Sequence, residues 1–353
     1  ISVGKTLLDG ADIDIVLKDT TTVSPTDTTV TRMLINAPDL TLRNVSVRMR
    51  MLPTIDSLYA RIGNAHLTDG RLDLAAQTID VKALDVDSVT AAYIMPSEQF
   101  LAGYHSPAVS PADSALLAEQ AALPSKPWQI RAGRIAINGK RALYATRGSR
   151  PAAGFDPEYI EATGIKIAID SFYNCGTTLR VPIRHIAAKE RCGVSLDASG
   201  VFDMDSTTMR AGGFNISTQW SEMKLDAMMG LGDLMTDPTV PLRLDADGFI
   251  SLRDVYAALP AVAAMMKGIP ASSQINVDTD IRGTSGRLGI NRMMVNMPGS
   301  FSLDADGMVA DAFDFNRMNG RINIDGDIRD VSFIKDRILD KATARTIGIP
   351  PMT

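Results

Sequence analysis

Apolar side chains in this chain recur at every second position in one segment after another, which commits those segments to strands with one greasy face and one polar face. Ile13, Ile15 and Leu17 alternate with Asp12, Asp14 and, past Val16, Lys18. Leu40 and Leu42 alternate with Asp39, Thr41 and Arg43. After Asn44 the phase slips by one step, and Val45, Val47, Met49 and Met51 alternate with Ser46, Arg48 and Arg50. A slip of one residue inside such a run reads as a bulge or a tight turn. The alternation resumes at Ile165/Ile167/Ile169, Leu179/Val181/Ile183, Phe214/Ile216, Ile275/Val277, Phe301/Leu303 and Ile322/Ile324.

The charged residues point the same way. The 353 residues include 35 Asp against 6 Glu and 25 Arg against 11 Lys. Asp is unfavourable inside helices and favoured in turns, so a chain this poor in Glu should hold few helices. The steps Asp9-Gly10, Asp69-Gly70, Asn138-Gly139, Asp247-Gly248, Asp306-Gly307, Asn319-Gly320 and Asp325-Gly326 read as hairpin turns between roughly 20 strands. Two helices are expected. One opens at Ser110-Pro111-Ala112-Asp113 and runs to about Leu123; the other opens at Ser251-Leu252-Arg253-Asp254 and kinks at Pro260 before stopping at Gly268. A shorter third falls near Ser332 to Asp340. The Pro/Ala/Ser-rich stretch 96–127 separates a first strand block, 1–95, from a second, 128–353, which carries the inserted helix near 251–267.

Several classes of function find no support. The net charge is -5 and no basic run is present, so nucleic acid is not an expected partner. The longest strongly apolar stretch, Val255 to Met266, is interrupted by Pro260 and falls short of the ~20 residues of a membrane-spanning helix. The catalytic motifs that carry a recognisable mechanism are missing, and the chain reads as a non-enzyme without a cofactor or metal. Gly4-Lys5-Thr6 mimics the end of a phosphate loop, but the first glycine would precede the chain start and the segment after it reads as a strand rather than a helix. Asp278-Thr279-Asp280-Ile281-Arg282-Gly283 starts like a calcium loop, but Arg282 replaces an oxygen ligand and Gly289 stands where a bidentate Glu is needed, so it reads as a turn. His66, His105 and His185 are scattered and read as ordinary surface or strand residues. Cys175 and Cys192 read as two free thiols, with a cross-link possible only if the chain folds back. The chain begins Ile-Ser-Val and reads as a fragment of a longer protein, whose signal or membrane anchor would lie outside it.

A short echo, Leu196-Asp-Ala-Ser-Gly200, Leu244-Asp-Ala-Asp-Gly248 and Leu303-Asp-Ala-Asp-Gly307, suggests accretion of similar hairpin units; strand propensity before an Asp-Gly turn would also produce it. The 18 Met, with Met228/Met229, Met265/Met266 and Met293/Met294/Met297 among them, suit either core filling or pliable contacts with a flexible apolar ligand. Either two sheets close on each other as β-sandwiches, giving a scaffold with no visible site, or one long sheet curls around something apolar.

The block Phe155-Asp-Pro-Glu-Tyr-Ile160, with Ile165 to Asn174, Leu179-Arg-Val-Pro-Ile-Arg-His-Ile186 and Lys189-Glu-Arg-Cys-Gly193, resembles the TamB family of translocation and assembly module subunits in its Bacteroidales-type form. Leu40-Thr-Leu-Arg-Asn-Val-Ser-Val47 and Asp69-Gly-Arg-Leu-Asp-Leu74 are similar to the recurrent strands of the wider AsmA-like group. The resemblance implies a mainly β chain whose elongated antiparallel sheet curls into an open hydrophobic groove, a solenoid-like β-taco with two or three short helices. It further implies a periplasmic, inner-membrane-anchored protein that carries phospholipid toward the outer membrane, partners an outer-membrane Omp85-family barrel of the TamA type, and supports outer-membrane protein assembly.

On that reading the site is a lining. The alternation nominates Ile13, Ile15, Leu17, Val45, Val47, Met49, Ile165, Ile167, Ile169, Leu179, Val181, Ile183, Ile275 and Val277. A register error of one residue would put any strand's set on the wrong face.

Overall fold

The computed structural model describes residue 2 and residues 4–18, 33–52, 56–97, 101–102, 126–266, 269–314 and 316–329. The chain is mainly β, with sixteen strands in one open, unclosed sheet. It divides into two compact units, Ile1–Ala152 with Asp156–Lys189, and Ala153–Phe155 with Glu190–Thr353. The expected helix from Ser110 and the shorter one near Ser332 lie outside the described residues.

The first unit contains β1 (Thr6–Asp9), β2 (Asp12–Lys18), β3 (Leu34–Leu52), β4 (Asp56–Asp73), β5 (Thr78–Met95), β6 (Gln129–Thr146), β7 (Tyr159–Cys175) and β8 (Thr178–Glu190). Spatial order follows chain order, except that β1 and β2 lie end to end along the outer edge of β3. Most neighbours are antiparallel, as expected. The exceptions are β1 and β2, parallel to β3, and β6, parallel to β5. A parallel pair needs a connection that returns the chain to its starting end. The Pro/Ala/Ser-rich stretch 96–127 supplies that return between β5 and β6, strands that lie side by side within one unit.

These strands are long, up to 19 residues in β3, because they run through positions where the sequence suggested a break. The phase slip at Asn44 is real: Asn44 has φ of 51° and acts as a kink inside β3. Its ladder neighbours kink at the same level. Gly10, between β1 and β2, has φ of 70°, Ser88 of β5 has 58° and Gly164 of β7 has 60°. On β4 the facing position is Gly63, where an added Cβ would stand 2.6 Å from that of Ser88. The pairs Arg43 with Asn64 and Val45 with Ile62 keep one register on both sides of the kink. A second transverse line passes Pro38 of β3, Asp69 of β4 (φ 50°), Gly133 of β6 and Ser171 of β7 (φ 56°). The two creases lie roughly 20 Å apart along the strands, six residues at about 3.3 Å each. Each crease advances the alternation by one, so the apolar residues of one side stand two apart along a strand and three apart across a crease: Leu40, Leu42, Val45, Val47 on β3 and Val81, Leu84, Val86, Val89 on β5.

The second unit contains β9 (Ser195–Met204), β10 (Thr208–Ser217), β11 (Glu222–Gly230), β12 (Pro241–Ser251), β13 (Gln274–Thr284), β14 (Arg287–Met297), β15 (Phe301–Ala310) and β16 (Asn319–Ile328), all paired antiparallel in chain order. Helices α1 (Leu252–Ala258) and α2 (Pro260–Met265) follow β12. The start at Ser251 and the break at Pro260 are as expected. Ser251 Oγ accepts from the Arg253 N–H at 3.3 Å. Asp254 does not close a capping box. Its carboxylate instead accepts the hydroxyls of Thr218 and Ser221, and the Ser251 N–H goes to Ser221 Oγ at 2.9 Å. Leu252, Ile269 and Met297 form a small closed core beneath these helices.

The Asx-Gly steps mostly do not turn. Asp9-Gly10 is a bend, but Asp69-Gly70, Asn138-Gly139, Asp247-Gly248, Asp306-Gly307 and Asp325-Gly326 lie inside strands, and Asn319-Gly320 opens β16. Gly248 shows why: its φ is 151°, and a Cβ there would overlap the carbonyl oxygen of Glu222 on the adjacent strand. The echo Leu-Asp-Ala-x-Gly falls on every third strand, β9, β12 and β15. In each copy the Ala is buried and the Gly has φ of 151° or 152°. The segment expected as a turn at Asp278–Gly283 is likewise the interior of β13, where Asp280 accepts from Arg282 at 2.6 Å.

Candidate functional site: an uncovered apolar face

Cross-strand pairing gathers the alternating apolar residues into rows that run across the strands. In the first unit one row passes Ile13, Val47, Ala60, Ala91, Ala142 and Ala162. The next passes Ile15, Met49, Leu58, Tyr93, Tyr144 and Ile160. Between the creases a third passes Leu8, Leu42, Ala65, Val86, Ile137 and Ile167. In the second unit a row passes Ala198, Ile216, Met223, Gly248, Val277, Val295 and Leu303. Another passes Phe214, Leu225, Ala246, Thr279, Met293, Ala305 and Ile324.

The rows are covered thinly. Among the described residues the fully buried apolar side chains of β3 to β7 are Val45, Ala65, Ala132 and Ala145, and most other strand residues there are only half-buried. Helix α1 is set against β12 as an added layer. A closed sandwich of this size would bury large side chains throughout. Here the largest fully buried ones are Leu252, Val45 and Ser285.

Of the nominated lining, Ile13 and Ile15 stand beside Val47 and Met49 and are 39% and 38% exposed. Leu17 pairs with Met51, and its side chain lies outside the described ones. Val45 is buried at the first crease. Ile165, Ile167 and Ile169 oppose Gly139, Ile137 and Ile135. Leu179, Val181 and Ile183 are half-buried on β8. Val277 lies between Gly248 and Val295, whereas Ile275 packs against the closed core under α1, away from the uncovered stretch. The alternation missed the contributions of β4, β5 and β6. Their rows use Ala, too small to register as greasy, and Tyr, which carries a hydroxyl. Tyr93 and Tyr144 stack with centroids 6.0 Å apart. The Tyr93 hydroxyl donates to Asp56 at 2.9 Å, and that bond, helped by burial, raises its pKa above the ordinary tyrosine value.

The opposite side is charged. Arg134 meets Asp85 at 2.6 Å, Arg50 meets Asp14 at 3.0 Å and Arg292 meets Asp278 at 2.6 Å, each pair joining neighbouring strands. This explains much of the Asp and Arg excess that composition alone assigned to turns: a short carboxylate near the sheet and a long guanidinium bridge one strand spacing. His66 belongs to the same side, 3.2 Å from Asp39. Exposed pairs of this kind contribute roughly 0.2 to 1 kcal/mol each. Cys175 and Cys192 are free thiols, and burial together with a hydrogen bond to Glu190 pushes the Cys192 thiol above its usual pKa.

A surface made mainly of Ile, Val, Leu, Met and Ala, with Tyr93, Tyr144 and Thr279 as polar interruptions, is chemically suited to contact with hydrocarbon. Covering it is favourable by about 25 cal/mol per Å² of apolar area. No helix among the described residues is long and apolar enough to cross a membrane. Comparison with protein-family models and with curated proteins gives no match for this chain.

Proposed function

We propose that this protein holds hydrocarbon on its uncovered sheet face and carries phospholipid acyl chains between the inner and outer membranes as a periplasmic bridge. The observation that supports this reading is the continuity of the apolar rows from strand to strand, with the Arg–Asp pairs on the other side. A lipid tail moving along such rows exchanges one apolar surface for another while its headgroup stays wet. Without that track each exposed CH2 would cost about 0.8 kcal/mol. The strand-pattern resemblance to the TamB family adds the setting: an inner-membrane anchor, an Omp85-family barrel as partner, and a role in outer-membrane protein assembly. A sealed β-sandwich scaffold is the weaker reading, since it needs a second sheet facing the first.

The test is to isolate the protein under gentle conditions and weigh the co-eluting lipids by mass spectrometry, then repeat with Ile167→Asp and Val181→Arg. Bound phospholipid in the parent and its loss by at least tenfold in the double variant, with unchanged circular dichroism, is the expected outcome. Equal lipid content in the two proteins would overturn it.

A further inference from the structure

At one rim of the second unit, where β10 turns into β11 and β12 runs into α1, a cavity of about 500 Å³ opens on the charged side of the sheet. That size lies within the ~300 to 1,000 Å³ common for small-ligand sites. Its wall carries Trp220, Phe249, Arg253, Glu222, Ser217 and Gln274. Two charged groups of opposite sign stand on that wall. Arg210, Arg282 and Arg292 each meet an aspartate. Arg253 and Glu222 face the same cavity with no ion pair among the described residues, and the Arg253 guanidinium lies 5.8 Å from the centre of the Trp220 ring.

The turn that holds Trp220 is braced from behind. Thr218 and Ser221 both donate to the buried Asp254 carboxylate, and the N–H groups of Trp220 and Ser221 donate to Thr218 Oγ1 at 3.1 and 2.9 Å. An unpaired cation and an unpaired anion therefore stand on a pre-ordered wall with an indole beside them. A guanidinium offers a planar fork of donors to a phosphate, and a carboxylate neutralises an ammonium. Glu222 pairs with Phe249, and one residue inward Met223 pairs with Gly248 on the apolar row. Consecutive strand residues point to opposite faces, so the tails of a lipid whose headgroup sits in the cavity would reach that row by passing round this rim of the sheet.

We infer that this cavity binds a zwitterionic phosphate–ammonium headgroup, phosphoethanolamine in chemistry, with Arg253 on the phosphate and Glu222 on the ammonium. The assignment rests on the lipid-carrying reading above and selects which lipid is loaded at this rim.

The chain has two Trp, so Trp128→Phe leaves Trp220 as the only indole reporter. The probe is glycerophosphoethanolamine, a headgroup without tails, compared with glycerophosphoglycerol. Saturable change of Trp220 emission with the first compound, weakened at least tenfold by Arg253→Gln, is expected. Glu222→Gln should remove the preference for the ethanolamine compound while leaving phosphate binding, which a merely misfolded variant would not do. Silence of Trp220 toward both compounds, with phospholipid still co-eluting, overturns this site and leaves the apolar track standing. Headgroup binding without co-eluting phospholipid supports the site and overturns the track, and failure of both measurements overturns both.

Discussion

The two units solve one problem with different backbone devices. In the first, strands of 17 to 19 residues in β3 to β7 cross two creases at which Asn44, Asp69, Ser88, Gly164 and Ser171 are left-handed. Register is kept on both sides of the creases from β3 to β5. In the second, strands of 9 to 11 residues carry glycines with φ near 150° in β9, β12, β13 and β15, and the register shifts at bulges such as Ala211/Phe214 and Ile290/Met293. The first device carries a side chain at its left-handed positions Asn44, Asp69, Ser88 and Ser171, although a Cβ is excluded at Gly63 and Gly133 on the same lines. The second carries none at Gly248 or Gly307, because the neighbouring backbone fills the space where a Cβ would stand. The lesson is that an uninterrupted apolar face depends on where alternation is advanced, and that chemistry at those points differs in what it forbids.

The comparison can be broken by substitution at the bends, with Trp128 reporting on the first unit and Trp220 on the second. Gly248→Ala should have the largest effect. It combines an unfavourable φ with overlap against Glu222, and urea unfolding followed at Trp220 should show destabilisation by about 3 kcal/mol. Asn44→Val should cost less, roughly 1 to 2 kcal/mol in unfolding followed at Trp128, since it opposes the left-handed conformation and removes an exposed hydrogen bond from Asn44 to Asp9. Asn44→Gly should be nearly neutral, within about 0.5 kcal/mol, in the same measurement. If Gly248→Ala proves as mild as Asn44→Gly, the distinction between the two devices is wrong.

The smallest effect concerns acid. Asp205, in the turn between β9 and β10, has its pKa lowered from 3.8 to about 2, first by the Thr207 N–H and then by the Thr207 hydroxyl and the Thr208 N–H. A carboxylate with a depressed folded pKa contributes stability above its unfolded value and loses it as pH falls through the folded one. The contribution should therefore fade from about pH 4 to about pH 2, and Asp205→Asn should flatten the fall of the Trp220 unfolding midpoint over that window.

Much of this architecture was legible from residue order. Period-two alternation identifies β2, β3, β7, β8 and β13 as strands, and the slip at Asn44 marks a kink that the backbone contains. The start at Ser251 and the break at Pro260 were equally plain, since a cap oxygen and a missing N–H act locally. What failed depended on partners across the ladder. Asp247-Gly248 has the composition of a hairpin turn, and only the backbone of β11 alongside makes it a strand interior. Asp278 and Asp280 read as turn formers until Arg292 and Arg282 are seen to hold them within β13. The row Ala60, Ala91, Ala142 and Ala162 carries no local signal, because four alanines in four separate strands become a surface only once paired. Parallel pairing of β5 with β6 was hidden for the same reason.

One property of the ladder reaches beyond any single contact. Among the described residues, outside the small core under α1, each inner strand draws its support chiefly from the strand on either side. Damage should then stay local: peeling of β16 from its single neighbour β15 need not loosen β12, and amide exchange should be fastest at that edge and slow stepwise inward. Heating such a chain would trace a succession of partial openings, so one melting temperature would describe it poorly.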